Sequence, residues 1–154
     1  MDVNTCEYII FMGRNEKNIL KEFIDFLLPD DTLIGYNIKN FDLPFLKARF
    51  IVNRVPSLKF ASPPLRIIDV SEFLHHGIFK AFNSNGKLNR YYKLDDFARL
   101  LGIKGEFELV GALVKKWYEE NRFDLIDKHL KDDLYKTYVL YQILDDHFHL
   151  YAGL

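Results

Sequence analysis

The sequence has little cysteine and no long hydrophobic run. Cys6 is the one cysteine among 154 residues, which excludes an intramolecular disulfide and a cysteine-based zinc site. No stretch approaches the roughly 18 uncharged apolar residues of a membrane span, and the N-terminus carries no signal-peptide pattern. These absences predict a soluble, cytoplasmic protein.

Apolar and aromatic residues are plentiful instead. Hydrophobic residues make up 49% and aromatic residues 16% of the chain, which argues for a packed core and against disorder. A chain of 154 residues is most simply one domain. The 14 phenylalanines and 9 tyrosines exceed the need of such a core, so some of them are expected to face a ligand.

Acidic residues are nearly absent from the middle of the chain. Between positions 36 and 66 six basic residues stand against one acid, Asp42, and between positions 80 and 93 four stand against none. A basic segment of this kind could follow a phosphate backbone, and its Tyr91 and Tyr92 could stack on bases. A solvated surface with two half-buried tyrosines explains the same pattern equally well.

The spacing of apolar residues predicts alternating strands and helices. We expect strands at 7–12, 33–36 and 66–70, and helices at 15–28, 42–53, 72–76, 94–101, 108–120 and 124–147. Asn15 and Ser71 are expected to cap their helices, and Gly102 to end one. The apolar faces are expected to include Phe45, Leu46, Phe50 and Val52 on the helix 42–53, and Ile126, Leu130, Leu134 and Tyr141 on the last helix.

The stretch from Thr32 to Leu46 holds the first candidate site. Its short apolar run reads as a buried strand, and a helical pattern begins at Asp42. Asn37 and Asp42 therefore lie where a strand passes into a helix, which is the usual place for ligand and metal sites in open α/β sheets. From this stretch alone, Asp42 either caps the helix or holds a cation.

A second candidate pair lies on the last predicted helix. Asp133 follows His129 by four residues, so both side chains are expected on one helical face. Asp132 points about 100° away and is expected to be the solvated neighbour. Alone, such a pair is more often a surface pair than a functional one.

Together these residues resemble a known family. Asn37-x-x-x-Phe41-Asp42 is similar to the second motif of DEDD-type 3′–5′ exonucleases, most closely that of the proofreading domain of B-family DNA polymerases and its stand-alone relatives. The similar segments that follow in the same order are Ile67–Val70, Lys93–Ile103 and Asp132–Tyr138. The resemblance covers roughly residues 8 to 144. It implies an α/β fold of the ribonuclease H-like type, a mixed sheet flanked by helices.

The resemblance also implies a chemistry. In that family four carboxylates hold two divalent ions about 3.5–4 Å apart, which activate a water and stabilise the leaving oxygen. Mg²⁺ or Mn²⁺ is implied, because these ions prefer oxygen ligands. By resemblance, Asp42 and Asp133 are catalytic metal ligands, and single-stranded DNA or RNA is the substrate.

Further roles follow from the same resemblance. Asn37 contacts the substrate or braces the site, and Phe41 packs near the 3′-terminal nucleotide. His129 stands four residues before the aspartate, where one subclass has tyrosine. It could orient or deprotonate the attacking water. The subclass that uses histidine normally places it five residues before.

The family's first motif, Asp-x-Glu at the end of a central strand, is missing. Asp2 and Asn4 echo it, but Asn4 takes the place of the glutamate and no strand precedes Asp2. The strand at 7–12 best matches the family's third strand. Residues 1–154 are therefore expected to form a single exonuclease-like domain that is N-terminally incomplete and lacks the first strands of the sheet. Two carboxylates are few for two ions, and such a sheet exposes an apolar edge.

Three hypotheses fit these observations. The chain is an exonuclease domain whose missing strands come from an upstream segment, a partner chain or self-association. Alternatively, it is a non-catalytic module that binds single-stranded nucleic acid or a replication protein. As a third alternative, it is a structural subunit that pairs through an exposed sheet edge.

Overall fold

The computed structural model describes residues 1–57, 65–78, 92–105 and 111–150. The chain divides into two compact units. The sheet unit comprises Ile9–Phe73, and the helical unit comprises Met1–Tyr8 with Leu74–Leu154.

Among its described residues, the sheet unit contains three helices and two strands. In chain order these are α1 (Glu16–Phe26), β1 (Thr32–Gly35), α2 (Asp42–Val52), β2 (Arg66–Asp69) and α3 (Val70–Glu72). A π-helix, Phe73–Ile78, follows α3. The helical unit contains α4 (Leu94–Leu100), a 3₁₀ turn (Gly111–Leu113), α5 (Val114–Glu119) and α6 (Phe123–Phe148). No helix in the described ranges is long and apolar enough to cross a membrane.

The two strands form a parallel sheet. Thr32 lies opposite Arg66 and Gly35 opposite Asp69, so both strands end at the same edge. Parallel strands need a crossover between them, and α2 lies in that connection. The buried residues of the core beside the sheet are Leu20, Ile24, Leu27, Phe50, Val55 and Leu65.

Several predicted elements are confirmed. Asn15 caps α1 by accepting a hydrogen bond from the backbone N–H of Asn18. Gly102 ends α4 in the left-handed region at φ 70°, where glycine has no steric penalty. The next N–H, of Ile103, donates back to the carbonyl of Ala98 at 2.8 Å and satisfies the helix end.

The predicted strand at 7–12 is wrong. In the described structure these residues are not part of any strand, and Ile10 and Met12 are exposed by 38% and 42%. Phe11 does pack on α1, with its ring centroid 5.7 Å from that of Phe23. A strand requires a hydrogen-bonding neighbour, and no described strand lies beside this segment.

Two helix faces also differ from the prediction. On α2, Phe45 and Val52 are exposed by 59% and 65%, whereas Leu43 and Phe50 are buried. On α6, Leu130 and Leu134 are exposed by 45% and 37%. The residues that α6 buries are Ile126, Asp132, Thr137, Leu140, Tyr141 and Leu144. Both helices carry apolar residues on more than one side, so the neighbouring elements decide which side is covered.

Glu16 and Arg49 connect α1 to α2 and make a testable pair. Arg49 donates to both carboxylate oxygens of Glu16, and Asn53 Nδ2 donates to one of them at 3.0 Å. The hydrogen bonds from Arg49 and then Asn53 lower the pKa of Glu16 from 4.5 to about 2. Because the pKa of Glu16 is lower in the folded than in the unfolded protein, its ionised carboxylate stabilises the fold. This contribution to the free energy of unfolding is complete above pH 4.5 and is lost as the pH falls towards 2.

We therefore expect Glu16→Gln to change the pH dependence of the free energy of unfolding. The difference in urea midpoint between wild type and Glu16→Gln should be constant above about pH 5 and shrink towards pH 2. It should be small throughout, because the pair is partly exposed to solvent. Glu22→Gln, an exposed change on the same helix, is the control. A difference that grows on acidification would contradict the assignment.

Candidate functional site

The turn between β1 and α2 carries the first group of predicted residues. Asn37 accepts hydrogen bonds at its carbonyl from the backbone N–H groups of Asn40 and Phe41, at 3.3 and 3.0 Å. Leu43 N–H donates to the carbonyl of Ile38 at 2.9 Å, which joins the turn to the first turn of α2. Asn37, Phe41 and Asp42 therefore lie on one continuous, hydrogen-bonded segment at the end of β1.

Asp69 anchors this turn, and the sequence interpretation did not assign it a role. It ends β2, is 4% exposed, and accepts the backbone N–H groups of Asn37 at 2.9 Å and Lys39 at 3.1 Å. Its carboxylate also accepts the N–H and hydroxyl of Ser71, at 3.0 and 2.9 Å, and the N–H of Glu72 at 3.3 Å. Asp69, and not the predicted Ser71, thus caps the helix that follows.

The backbone geometry of the turn restricts its residues. Asn37 adopts φ 60°, in the left-handed region that asparagine tolerates better than most residues. Gly35 is in close contact with the side chain of Ile38: a Cβ at position 35 would lie 2.7 Å from the Ile38 Cβ. The chain therefore passes tightly over the end of β1 before α2 begins.

Replacing Asn37 separates its backbone role from its side-chain role. Asn37→Ala is expected to lower the free energy of unfolding by about 1–2 kcal/mol, because alanine is strained at positive φ. Asn37→Gly should lower it by less, since glycine adopts this φ without strain. Urea unfolding of both variants measures the difference. Equal losses in the two variants would show that backbone strain is not the cause.

Asp42 is the first residue of α2 and does not cap it. The N-cap position belongs to Phe41, which makes no capping hydrogen bond through its side chain. Partial removal of its carboxylate from water raises the pKa of Asp42, and the negative charge of Asp69 adds to this increase. A hydrogen bond from its own backbone N–H acts in the opposite direction. Asp42 is exposed and Phe41 is 66% exposed, so both can meet a ligand from solution.

The second group of predicted residues lies on α6, in the helical unit. His129 Nε2 is 3.6 Å from Asp133 Oδ2, which confirms that the two side chains share a face. The imidazole packs edge-on against Trp117 at 6.2 Å, and Gly111 is so close that a Cβ there would lie 3.0 Å from Nε2. His129 Nδ1 is buried without a hydrogen-bond partner in the described part of the chain.

The carboxylate of Asp133 is only partly accessible. Burial is the main reason that its pKa is raised, and the charges of Asp95 and Asp132 act in the same direction. His129 and Lys136 oppose the increase. The side chain is nevertheless 41% exposed, so water and ions can reach it.

The prediction that Asp132 is the solvated neighbour is wrong. Its side chain is 1% exposed and lies 2.5 Å from Lys136 Nζ, which also reaches Asp95 on α4 at 2.7 Å. Gly105 covers it so closely that a Cβ there would lie 2.1 Å from the Asp132 Oδ1. The 100° offset from Asp133 turns Asp132 towards α4 rather than towards water.

The aromatic and basic residues that were predicted to contact the substrate differ in their surroundings. Tyr91 lies outside the described residues. Tyr92 is half-buried, and its ring centroid lies 5.4 Å from that of Phe97. This agrees with the alternative of a half-buried tyrosine. In the basic segment, Lys39 pairs with Glu72 at 2.6 Å and Arg49 with Glu16.

The described carboxylates do not by themselves form a complete metal site. In the described ranges no group of three or more His, Cys, Asp or Glu side chains is arranged to hold a metal ion. Asp42 lies within electrostatic reach of Asp69, but Asp69 is already occupied by four backbone N–H donors and a hydroxyl.

Comparison with known proteins gives two matches. Residues 6–149 match the family described as a predicted 3′–5′ exonuclease related to the exonuclease domain of PolB. An uncharacterized protein of Methanocaldococcus jannaschii is 32% identical over an alignment of 148 positions, and the alignment includes 90% of this chain and 79% of that protein. No solved structure is significantly similar to this chain.

Proposed function

Because this chain belongs to the family of predicted 3′–5′ exonucleases related to the exonuclease domain of PolB, we propose that it removes nucleotides from the 3′ end of single-stranded nucleic acid. The observation that carries the proposal is the turn before α2. Within the matched range, this turn is held by Asp69 and presents Asn37, Phe41 and Asp42 on one segment.

The proposal gives each of these residues a role. Asp42 and Asp133 contribute ligands for Mg²⁺ or Mn²⁺, and Asn37 contacts the substrate. Phe41, which is 66% exposed, packs on the terminal nucleotide, as bases commonly stack on exposed aromatic rings. His129 orients or deprotonates the attacking water, which is a common role of histidine in catalysis.

We propose that the sheet is completed by strands from outside the described residues. A two-stranded parallel sheet of four-residue strands is small, since parallel sheets are normally larger and covered on both faces. Phe11 packs on α1, whereas Ile9, Ile10 and Met12 are exposed apolar residues that an added strand would cover. A ribonuclease H-like sheet, completed by an upstream segment, a partner chain or a second copy, would also supply the missing carboxylates.

A second function, binding without cleavage, is favoured by the exposed surface of α2. Phe41, at the N-cap of α2, and Phe45, in its first turns, are 66% and 59% exposed. The same segment of the chain carries Lys47 and Arg54, which form no ion pair in the described structure. Proteins that hold single strands without sequence preference commonly combine exposed aromatic rings with basic residues.

A degradation assay tests the two proposals together. Single-stranded DNA and RNA of one sequence, labelled at either end, are incubated with the protein in Mg²⁺, Mn²⁺ or a chelator. The exonuclease proposal predicts a ladder from 5′-labelled substrate, early loss of a 3′ label, and no reaction in chelator. Binding that weakens steeply with salt and occurs without cleavage would favour the second function. Absence of binding together with a concentration-dependent dimer would contradict both and favour a structural subunit.

A further inference from the structure

The buried carboxylate of Asp69 makes two separate sets of contacts. The first set, to Ser71 and Glu72, is local and caps α3. The second set, to the backbone N–H groups of Asn37 and Lys39, spans 32 and 30 residues of sequence. Capping α3 does not require the second set, which joins the end of β2 to the candidate site.

The second set of contacts constrains the residues that lead to Asp42. Asn37 and Lys39 are held by different oxygens of one carboxylate, which fixes both the position and the orientation of the turn. The carbonyl of Asn37 then accepts the N–H of Phe41 at 3.0 Å. Only one peptide bond separates Phe41 from Asp42, so the held turn sets where α2 and its first carboxylate begin.

We infer that Asp69 is a positioning residue for the site at the turn: it holds the backbone of Asn37 and Lys39 and thereby places Asn37 and Asp42. The inference rests on the proposed function for its catalytic consequence. Asp69 acts through the turn and does not contact substrate, because it is 4% exposed and both of its oxygens accept hydrogen bonds from protein donors. Such supporting groups commonly affect activity about 10–100-fold.

Three variants distinguish this role from capping. Asp69→Asn removes the charge and turns an amide NH₂ group towards N–H donors. Asp69→Ser retains an oxygen that can cap α3, but a single short hydroxyl cannot reach both N–H groups of the turn. Ser71→Ala is the matched control, since it removes one donor to Asp69 and leaves the contacts with Asn37 and Lys39 intact.

Backbone amide hydrogen exchange, followed by NMR, tests the structural half of the inference. In Asp69→Asn and Asp69→Ser, the amides of Asn37 and Lys39 are expected to exchange at least about tenfold faster, because each loses a hydrogen bond to a charged acceptor. Amides of α1 should be unaffected, and Ser71→Ala should retain wild-type protection at the turn. Unchanged exchange in Asp69→Ser would overturn the inference whatever the activity, and this variant keeps the test valid if Asp69→Asn does not fold.

Steady-state kinetics tests the catalytic half. Both Asp69 variants should lower kcat for 3′ shortening about 10–100-fold and change KM for the strand much less, whereas Ser71→Ala should resemble wild type. Faster exchange at the turn with unchanged kcat would overturn the positioning role. If wild type shortens no substrate, the proposed function fails, and the exchange experiment still decides whether Asp69 holds the turn.

Discussion

Asp42→Ala and Asp133→Ala are each expected to slow 3′ shortening by more than about a hundredfold. In the proposed site each carboxylate contacts a divalent ion directly, and removing groups that only support metal ligands already costs roughly 10–100-fold. Asp42→Asn and Asp133→Asn keep the shape of the side chain but lose its charge, so they should be nearly as slow. The effect is measured as the initial rate of shortening of 3′-labelled single strands. Each variant is assayed with the same partner, or in the same oligomeric form, in which the wild-type protein is active.

The same experiment needs controls for folding and for general charge. Asp146→Ala removes an exposed carboxylate from α6, and it is expected to leave the rate unchanged. Asp42 is itself exposed, so Asp42→Ala should retain the thermal midpoint of wild type. If either variant keeps its activity, that residue does not belong to the site. If both keep it, the shortening is due to other residues.

Lys136→Met is expected to be the most destabilising single change. Burial by itself lowers the pKa of Lys136, but the hydrogen bonds that it donates to Asp132 and Asp95, together with the charges of these two carboxylates, outweigh burial and raise the pKa, so the ammonium is held in its charged form. Methionine keeps much of the apolar stem and removes the cation that lies 2.5 Å from the buried Asp132 carboxylate. Breaking a buried ion pair from one side typically costs about 3–5 kcal/mol, a large part of the stability of most domains.

Two further variants show whether the buried charge is the cause. Lys136→Met combined with Asp132→Asn should recover much of the loss, because no uncompensated charge is then buried. Lys115→Met removes an 87% exposed lysine from α5 and should hardly change stability. Urea unfolding followed by circular dichroism measures all of them. A double variant that is no more stable than Lys136→Met would indicate that lost packing, not charge, is responsible.

Much of the local structure could be predicted from the sequence because its causes are local. Asn15 and Gly102 mark helix ends through side-chain and backbone properties that act within a few residues. The pairing of His129 with Asp133 follows from the pitch of a helix alone. The family resemblance is likewise confirmed by the match over residues 6–149, since it rests on residue types in a fixed order.

The errors arose where a residue's environment depends on distant parts of the chain. Residues 7–12 have the composition of a strand but lack a described neighbour to pair with. Phe45 is apolar yet 59% exposed, because the elements around α2 cover its other side. Asp132 is charged yet buried, because Lys136, one turn further along α6, compensates its charge.

Asp69 illustrates the limit of sequence reasoning most clearly. Its partners at the turn are backbone N–H groups, which every residue except proline carries, so side-chain identities give no sign of the contact. One signal was available: Asp69 lies one residue before the end of the predicted strand 66–70, and the ends of parallel strands, such as β1 and β2, meet at one edge.

The sequence by itself determined the family and the positions of most helices, because these depend on residue type and short spacing. Only the tertiary structure decided which faces of α2 and α6 are buried, that Asp132 is enclosed with Lys136, and that Asp69 holds the turn before Asp42. These features depend on contacts between segments that are distant in sequence. Burial, charge compensation and backbone hydrogen bonding are set by those contacts and leave no local pattern.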